Sequence, residues 1–304
     1  MATIEYPQDN KITLDSAPAE SDSRPAPKQN RILNIIYDLP WWAFFMVGVG
    51  IFVAISIRSD ETYTNIFNQL KDGIRVTLTV TFTAYTAALI IGAVIGVIRS
   101  TKPQPRAGLR DGIMSFLHMI LYNVATVYVE VLRGLPIVTV LLIGAFVVTP
   151  EIRDYLEATF NIEVQIRGMS IETAIIALSL AYGAFLSEVF RAGIQSVGKG
   201  QIEAAKALGL NNWQTMRHII MPQAFRQILP PLGNDFIAMI KDSSLVTLLG
   251  VNDVTHIAKK SSGSSFKVLE TYLTVAVIYL SMTFFGSLLV RYIERRVGQD
   301  KKAR

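Results

Sequence analysis

Residues 113–148 read IMSFLHMILYNVATVYVEVLRGLPIVTVLLIGAFVV. Whether this run crosses a bilayer once or twice sets the direction of everything after it. As one helix its 36 residues would measure ~54 Å at ~1.5 Å per residue, against a hydrocarbon core of ~30 Å. Two charges, Glu130 and Arg133, and two helix breakers, Gly134 and Pro136, fall in its middle. A hairpin would place those charges and a turn at one interface. The other solution is a single span broken at Gly134–Pro136, preceded by an amphipathic stretch lying along the membrane.

Five further segments are apolar enough to span: about 40–58, 73–98, 170–190, 231–250 and 268–290. Trp41 and Trp42 open the first of them, where an interfacial aromatic belt would sit. Six spans with the N-terminus inside put 19 Lys/Arg in the inner segments 1–39, 99–112, 191–230 and 291–304. The outer segments 59–72, 149–168 and 251–267 then hold 6. Basic residues are retained on the cytoplasmic side, so this asymmetry selects the single broken span. Splitting 113–148 in two would send the basic 191–230 loop and the basic C-terminus outside. Lys259, Lys260 and Lys267 are a mild exception on the outer side.

Composition agrees. Of 304 residues, 51% are hydrophobic and 17% charged, where soluble domains carry roughly 25% charged residues. The mean hydropathy is +0.37 and the pI about 9.3, and in a membrane chain the basicity reflects inner loops rather than nucleic-acid binding. There is no cysteine, which excludes disulfides and Cys-type zinc sites. His118, His218 and His256 are scattered without metal-ligand spacing, so no metal or other cofactor is expected. Residues 1–39, polar and Pro/Ser-rich, read as a disordered cytoplasmic tail. They lack the arrangement of a secretory signal.

The loop after the fourth span begins GIQSVGKG at Gly193, one letter from a phosphate-binding P-loop. A P-loop needs a strand before it and a Ser/Thr for magnesium. Here a membrane span precedes, and Gly200 stands in the hydroxyl position. No nucleotide site is expected, and the glycines around Lys199 read as a turn out of the span. The run GQIEAAKALGLNNWQTMRHIIMPQAFRQILPP from Gly200 onward reads as two short helices. Ala204, Ala207 and Leu208 share one face. Gly209 suits a left-handed helix end, and Asn211 or Asn212 can cap the second helix. Pro222 would interrupt that second helix, with Pro230–Pro231 opening the fifth span.

Glu203, Ala204, Ala205, Gly209, Ile219 and Pro222 fall in the register E-A-A-x3-G-x9-I-x-L-P, with Met221 in place of Leu. This resembles the cytoplasmic loop of binding-protein-dependent ABC importer permeases. The neighbouring runs YVEVLRGLPIVTVLL from Tyr128, SEVFRAGIQSVGKGQIEAAKALGL from Ser187 and PPLGNDFIAMIKDSSLVTLLGVNDV from Pro230 resemble its polar amino-acid uptake branch. The resemblance covers roughly 70–292.

It implies an all-α integral membrane protein with six transmembrane helices. A five-helix type I permease core at 70–292, with coupling loop 191–230, would follow an extra N-terminal helix at 40–58 and precede a basic cytoplasmic tail at 293–304. It implies a transport subunit rather than an enzyme, in the inner membrane, with both termini cytoplasmic. ATP hydrolysis would occur on separate ATPase subunits that dock on the Glu203–Pro222 segment. A second permease chain, identical or paralogous, and an extracytoplasmic substrate-binding protein would complete the importer.

A zwitterionic amino acid needs both charge signs along its path. Charges within a bilayer cost ~2.5–3.5 kcal/mol each on insertion scales, so those present invite explanation. The candidates are Glu130 and Arg133, three apart and able to pair with each other, and Lys241 and Asp242, about ten residues into the fifth span. Each pair reads either as pathway lining or as a structural contact. Glu188, Arg191, Asn234 and Asp235 read as interfacial anchors or inner-gate contacts. Three rival readings are an ion-gradient-driven secondary amino-acid transporter, a membrane-embedded enzyme and a non-transporting receptor subunit. The first would show repeated halves and the second a nucleophile, metal or paired-acid site; the sequence has neither. The third would show ATPase activity indifferent to solute.

Overall fold

A computed structural model describes residues 44–45, 48–51, 55, 59–105, 108–160 and 168–298. By proximity the chain divides into two units, Met1–Gly48 and Val49–Arg304. In the first, only Phe44, Phe45 and Gly48 are described, each helical. The tail at 1–39 and most of the span at 40–58 therefore lie outside the described residues, as do residues 299–304.

The second unit is helical, with no strand among the described residues. Helix α1 runs Glu61–Ser100, α2 Leu109–Gly134, α3 Ile137–Ile143 and α4 Thr149–Phe160, with a π-helical turn Gly144–Val148 joining α3 to α4. Helix α5 runs Ile171–Gln195, α6 Lys199–Ala207 and α7 Asn212–Thr215. A second π-helical turn, Met216–Ile220, leads into α8, Met221–Asp242. A 3-10 segment Ser243–Leu249, α9 Val254–Ser265 and α10 Val268–Gly298 complete the unit. Four of these helices, α1, α2, α5 and α10, are long and apolar enough to cross a membrane.

The decisive segment breaks where its Gly and Pro predict. Helix α2 stops at Gly134, Leu135 is extended (φ −100°, ψ 143°), and α3 starts after Pro136. Pro136 lacks the N–H that an unbroken helix would use, and it disfavours helical geometry at Leu135. His118 Nε2 lies 3.4 Å from the Ile98 carbonyl and Glu130 lies 3.5 Å from Arg99. Two residues three turns apart thus reach the same end of α1, so α2 crosses that end obliquely. After the break the chain runs back along α5: Gly144 faces Ala177 and Thr149 approaches Thr173 at 3.4 Å.

Helix α5 is central, with more than half of its residues buried. It lies parallel to α1 at a constant offset. The Ser179 hydroxyl donates to the Ala84 carbonyl (3.3 Å) and the Gln195 amide to the Ser100 carbonyl (3.0 Å), both 95 residues apart. Small residues every fourth position along α1, Ala84, Ala88, Gly92 and Gly96, are buried there. They bring the two backbones together where lipid supplies no hydrophobic drive. Helix α8 packs antiparallel to α10, since Gly233 meets Val290 while Gly286 meets Ile240. The Tyr85 hydroxyl ties α1 to α8 through the Leu232 carbonyl at 2.6 Å. Among the described residues the chain thus runs along the bundle in five passes, with α1, α5 and α10 running one way and the broken α2–α4 segment and α8 the other.

Two expectations need correction. The helix entering the fifth span is not interrupted at Pro222, and it continues through Pro230–Pro231. Pro222 falls in the first turn after the π-helical turn, where a missing N–H costs least. The apolar run 231–250 is also not one helix. It divides at Asp242, where the Ser243 hydroxyl turns back to the Ile240 carbonyl at 2.7 Å and the 3-10 segment begins. At the start of α1, Ile66 and Leu70 pack with Val254 and Ala258 of α9. Gly73 permits this, since a Cβ there would sit 2.7 Å from the Val254 nitrogen. Asp253 caps α9 through the amides of His256 (2.9 Å) and Thr255 (3.0 Å). Burial pushes its carboxyl above the usual carboxylate value, and those amides offset part of the rise.

Candidate functional site

The two ends of the α1–α5 pair carry different chemistry. At the end where both helices finish, α6 follows α5 after Ser196–Gly198 and presents Glu203 and Ala204 outward, while Ala205 is 3% exposed and anchors the helix. The helix ends as its sequence requires. Gly209 has φ +80°, and the Leu210 amide reaches back to the Ala205 carbonyl at 3.1 Å. Asn211 then caps α7, its side chain taking the Gln214 amide (2.8 Å) while the Gln214 side chain accepts from the Asn211 amide (3.0 Å). Between these features Leu208 is 81% and Trp213 69% exposed. Ile219 is half-buried in the π-helical turn and Pro222 exposed just after it. The run Gly193–Gly200 straddles the end of α5 and the start of α6. Gly198 has an ordinary φ of −58°, so the turn out of α5 does not use a glycine-only conformation. Gly193 instead serves packing, with Ile228 of α8 directly against it.

Beside this segment lies a charged network that local spacing did not reveal. Glu130 does not pair with Arg133. It lies 3.5 Å from Arg99 of α1, which also holds Glu188 of α5 at 3.1 Å. Arg99 is only 8% exposed and joins three helices. Glu188 is shared with Arg191, one turn on, whose guanidinium also donates to Gln195 at 2.6 Å. Arg133 lies over the Phe185 ring, 6.0 Å from its centroid. It faces a cleft of about 460 Å³ whose lining includes Glu188, Gln227 and Asp235. Both charge signs therefore meet in one cavity, formed by the end of α2 with α5 and α8.

Lys241 and Asp242 are the last two residues of α8 rather than lying midway along a continuous helix. There α8 gives way to the 3-10 segment, with the Ser243 amide donating to the Met239 and Lys241 carbonyls. Asp242 accepts the Tyr182 hydroxyl at 2.7 Å, and Tyr182 is itself buried. Lys241 is exposed, as is Asn234 two turns earlier on the same face. Asp235 is half-buried and lines the cleft with Arg133. Sequence reasoning misses Arg99 and Tyr182. By position Arg99 counts among the inner-loop charges, and Tyr182 carries no signal until α5 and α8 are packed together.

Residues 112–299 match the family of binding-protein-dependent transport system inner membrane components. The chain is 33% identical over 228 residues to the glutamine transport system permease protein GlnP of Escherichia coli strain K12, covering 75% of this chain and 92% of that protein. It is 32% identical over 234 residues to the probable glutamine ABC transporter permease protein GlnM of Bacillus subtilis strain 168, covering 77% of this chain and 95% of that one. A solved structure of an amino acid ABC transporter with histidines is 31% identical, with a TM-score of 0.61, over 77% of this chain and 97% of that chain.

Proposed function

Because the chain belongs to the family of binding-protein-dependent transport system inner membrane components, we propose that it is the permease subunit of an ATP-binding-cassette importer for polar amino acids. It is a transport subunit, and ATP is hydrolysed by partner ATPase subunits. The observation that carries the coupling role is the outward-facing Leu208 and Trp213 beside Glu203 and Ala204, on a short helix anchored by Ala205. Large exposed apolar side chains flanked by charges form the core and rim of a protein interface. Closure of two ATPases would drag this segment. Ser196–Gly198 and the α7–α8 connection would pass the movement to α5 and α8 as rigid bodies, giving alternating access. The importer also comprises a second permease chain and an extracytoplasmic binding protein. The coupling end faces the cytoplasm, with both termini there, as the 19 to 6 distribution of basic residues favours.

The pathway runs past the two breaks. Arg133 receives the substrate carboxylate, and Glu188 or Asp235 the ammonium, in the cleft they share. Asp242 and Lys241 act at the second break, and Glu130 holds the first in place through Arg99. The test is uptake of labelled glutamine and glutamate into proteoliposomes holding the complex, with ATP inside and ion gradients collapsed by ionophores. Uptake should persist, and Arg133→Ala or Asp242→Ala should raise KM at least about tenfold, the scale of one lost charge-assisted hydrogen bond. Uptake that follows an imposed ion gradient and ignores ATP would establish a secondary transporter. Unchanged KM in an assembled complex would remove Arg133 and Asp242 from the pathway.

A further inference from the structure

A second cleft, of about 740 Å³, opens at the coupling end on the far side of α6 from Ala204 and Leu208. Its walls are the connection after α1, the first turns of α2, one face of α6 and the α7 region. Lys102, Lys206 and His118 line it together with Ser100, Thr101 and Thr215, and no described lining residue is acidic. We propose that this cleft binds a phosphate-bearing anion, supplied in the membrane as the headgroup of an acidic phospholipid.

Three observations converge on that chemistry. The cleft offers two lysine ammonium groups and no described carboxylate, so its charge attracts an anion and repels a cation. Thr215 is 3% exposed, yet its hydroxyl makes no hydrogen bond. Its own amide already takes the Asn211 carbonyl at 2.9 Å. The hydroxyl is therefore a buried donor awaiting an acceptor, and buried polar groups are rarely left unsatisfied. A phosphate group has acceptor oxygens to offer Thr215 and both lysines at once. Finally, beside the polar Gln104, Ser115 and Asn212 the lining holds four apolar side chains, Met114, Ile202, Met216 and Ile220. Helix α2 continues that apolar surface with exposed Ile113, Phe116 and Leu117. A headgroup site opening onto an apolar helix face suits a lipid whose chains lie along α2. Basic pockets at the cytoplasmic face of membrane helices hold acidic lipids by the same means.

The assay is native mass spectrometry of the purified transporter complex after incubation with phosphatidylglycerol or with phosphatidylcholine. The comparison is between wild type, the double variant Lys102→Gln/Lys206→Gln, and Thr215→Val. Wild type should retain phosphatidylglycerol. The double variant should hold it about tenfold or more weakly, as expected for two lysines near an anionic surface, and Thr215→Val should weaken it further or alone. Phosphatidylcholine should bind no better than the variants bind phosphatidylglycerol. A parallel arm adds inorganic phosphate: displacement of the lipid assigns recognition to the phosphate group alone, and loss of lipid only in the variants assigns it to the lipid-borne headgroup. Lys102 is exposed outside any helix, so Lys102→Gln alone keeps the test valid if the other variants fail to fold. Equal retention by wild type and variants, as expected if an ATPase subunit fills the cleft, overturns the proposal. So does equal retention of the two lipids.

Discussion

The closest approach of α1 and α5 depends on single atoms that are absent. A Cβ on Gly92 would sit 2.7 Å from the Leu186 Cβ, and one on Gly96 would sit 2.5 Å from the Phe190 Cβ. Neither neighbour is the free end of a long side chain, so relief requires the helices to part. Parting them would also stretch the Ser179–Ala84 and Gln195–Ser100 bonds and draw Arg99 away from Glu188. Gly92→Leu should therefore destabilise the permease by about 1–3 kcal/mol, the usual cost of overpacking, read as a lower melting temperature of the purified protein. Gly200→Ala is the control, because nothing lies within 4 Å of a Cβ there; it should leave melting unchanged or slightly raised. Equal melting of Gly92→Leu and wild type would show that the parallel α1–α5 contact is wrong. The stripe Ala84, Ala88, Gly92, Gly96 is visible in the sequence as small residues at a spacing of four. Its partner is not, because an offset of 95 residues leaves no local trace. Arg99 is hidden for the same reason. Local spacing offers Glu130–Arg133, and the packed helices choose Glu130–Arg99.

Elements whose ends are decided by their own chemistry are legible. The break at Gly134–Pro136 comes from a missing N–H. The stop at Gly209 comes from a backbone only glycine adopts cheaply, and the cap at Asn211 from a side chain that replaces a missing carbonyl. The end of α8 is not legible. Hydropathy runs on to residue 250, while Tyr182 on α5 fixes Asp242 at the helix terminus. The prolines of α8 mislead for a related reason, since a π-helical turn absorbs Pro222 without ending the helix. The coupling segment makes its own prediction at this scale. Its fold rests on Ala205, Gly209 and Asn211, but its surface is Leu208 and Trp213. Trp213→Ala and Leu208→Ser should leave permease melting unchanged and weaken ATPase retention. A buried aromatic anchor contributes about 2 kcal/mol or more, ~30-fold in affinity. Gly209→Val should fail as well, through the αL strain it introduces. Undiminished co-purification of the ATPase with all three variants would place the docking surface elsewhere.

At the scale of the Val49–Arg304 unit, the five passes sort the described connections to two ends. Lys267 donates to Thr62 (2.9 Å) and Ser261 to Gln69 (2.7 Å), so α9 lies where α1 begins. Gln195 and Ser100 meet where α1 and α5 finish, so α6 and α7 lie at the other end. That separation is geometric and does not depend on charge counting, yet it divides the basic residues in the same sense. The connection after α1 and the α5–α8 loop share the basic end, while Lys259, Lys260 and Lys267 share the opposite one. If the basic end is cytoplasmic, as retention of positive charge requires, the two ends differ in what can reach them. The chain has no cysteine, so single introduced thiols report location without background. Ser264 and Gln201 are both exposed, one at each end, and neither belongs to the proposed pathway. In spheroplasts, S264C should react with a membrane-impermeant maleimide at once. Q201C should react only after permeabilisation, and still slowly where ATPase subunits cover α6. The opposite pattern would invert the transporter and place its coupling segment out of reach of ATP. Reaction of both thiols in sealed spheroplasts would mean that the five passes do not cross the membrane as a bundle.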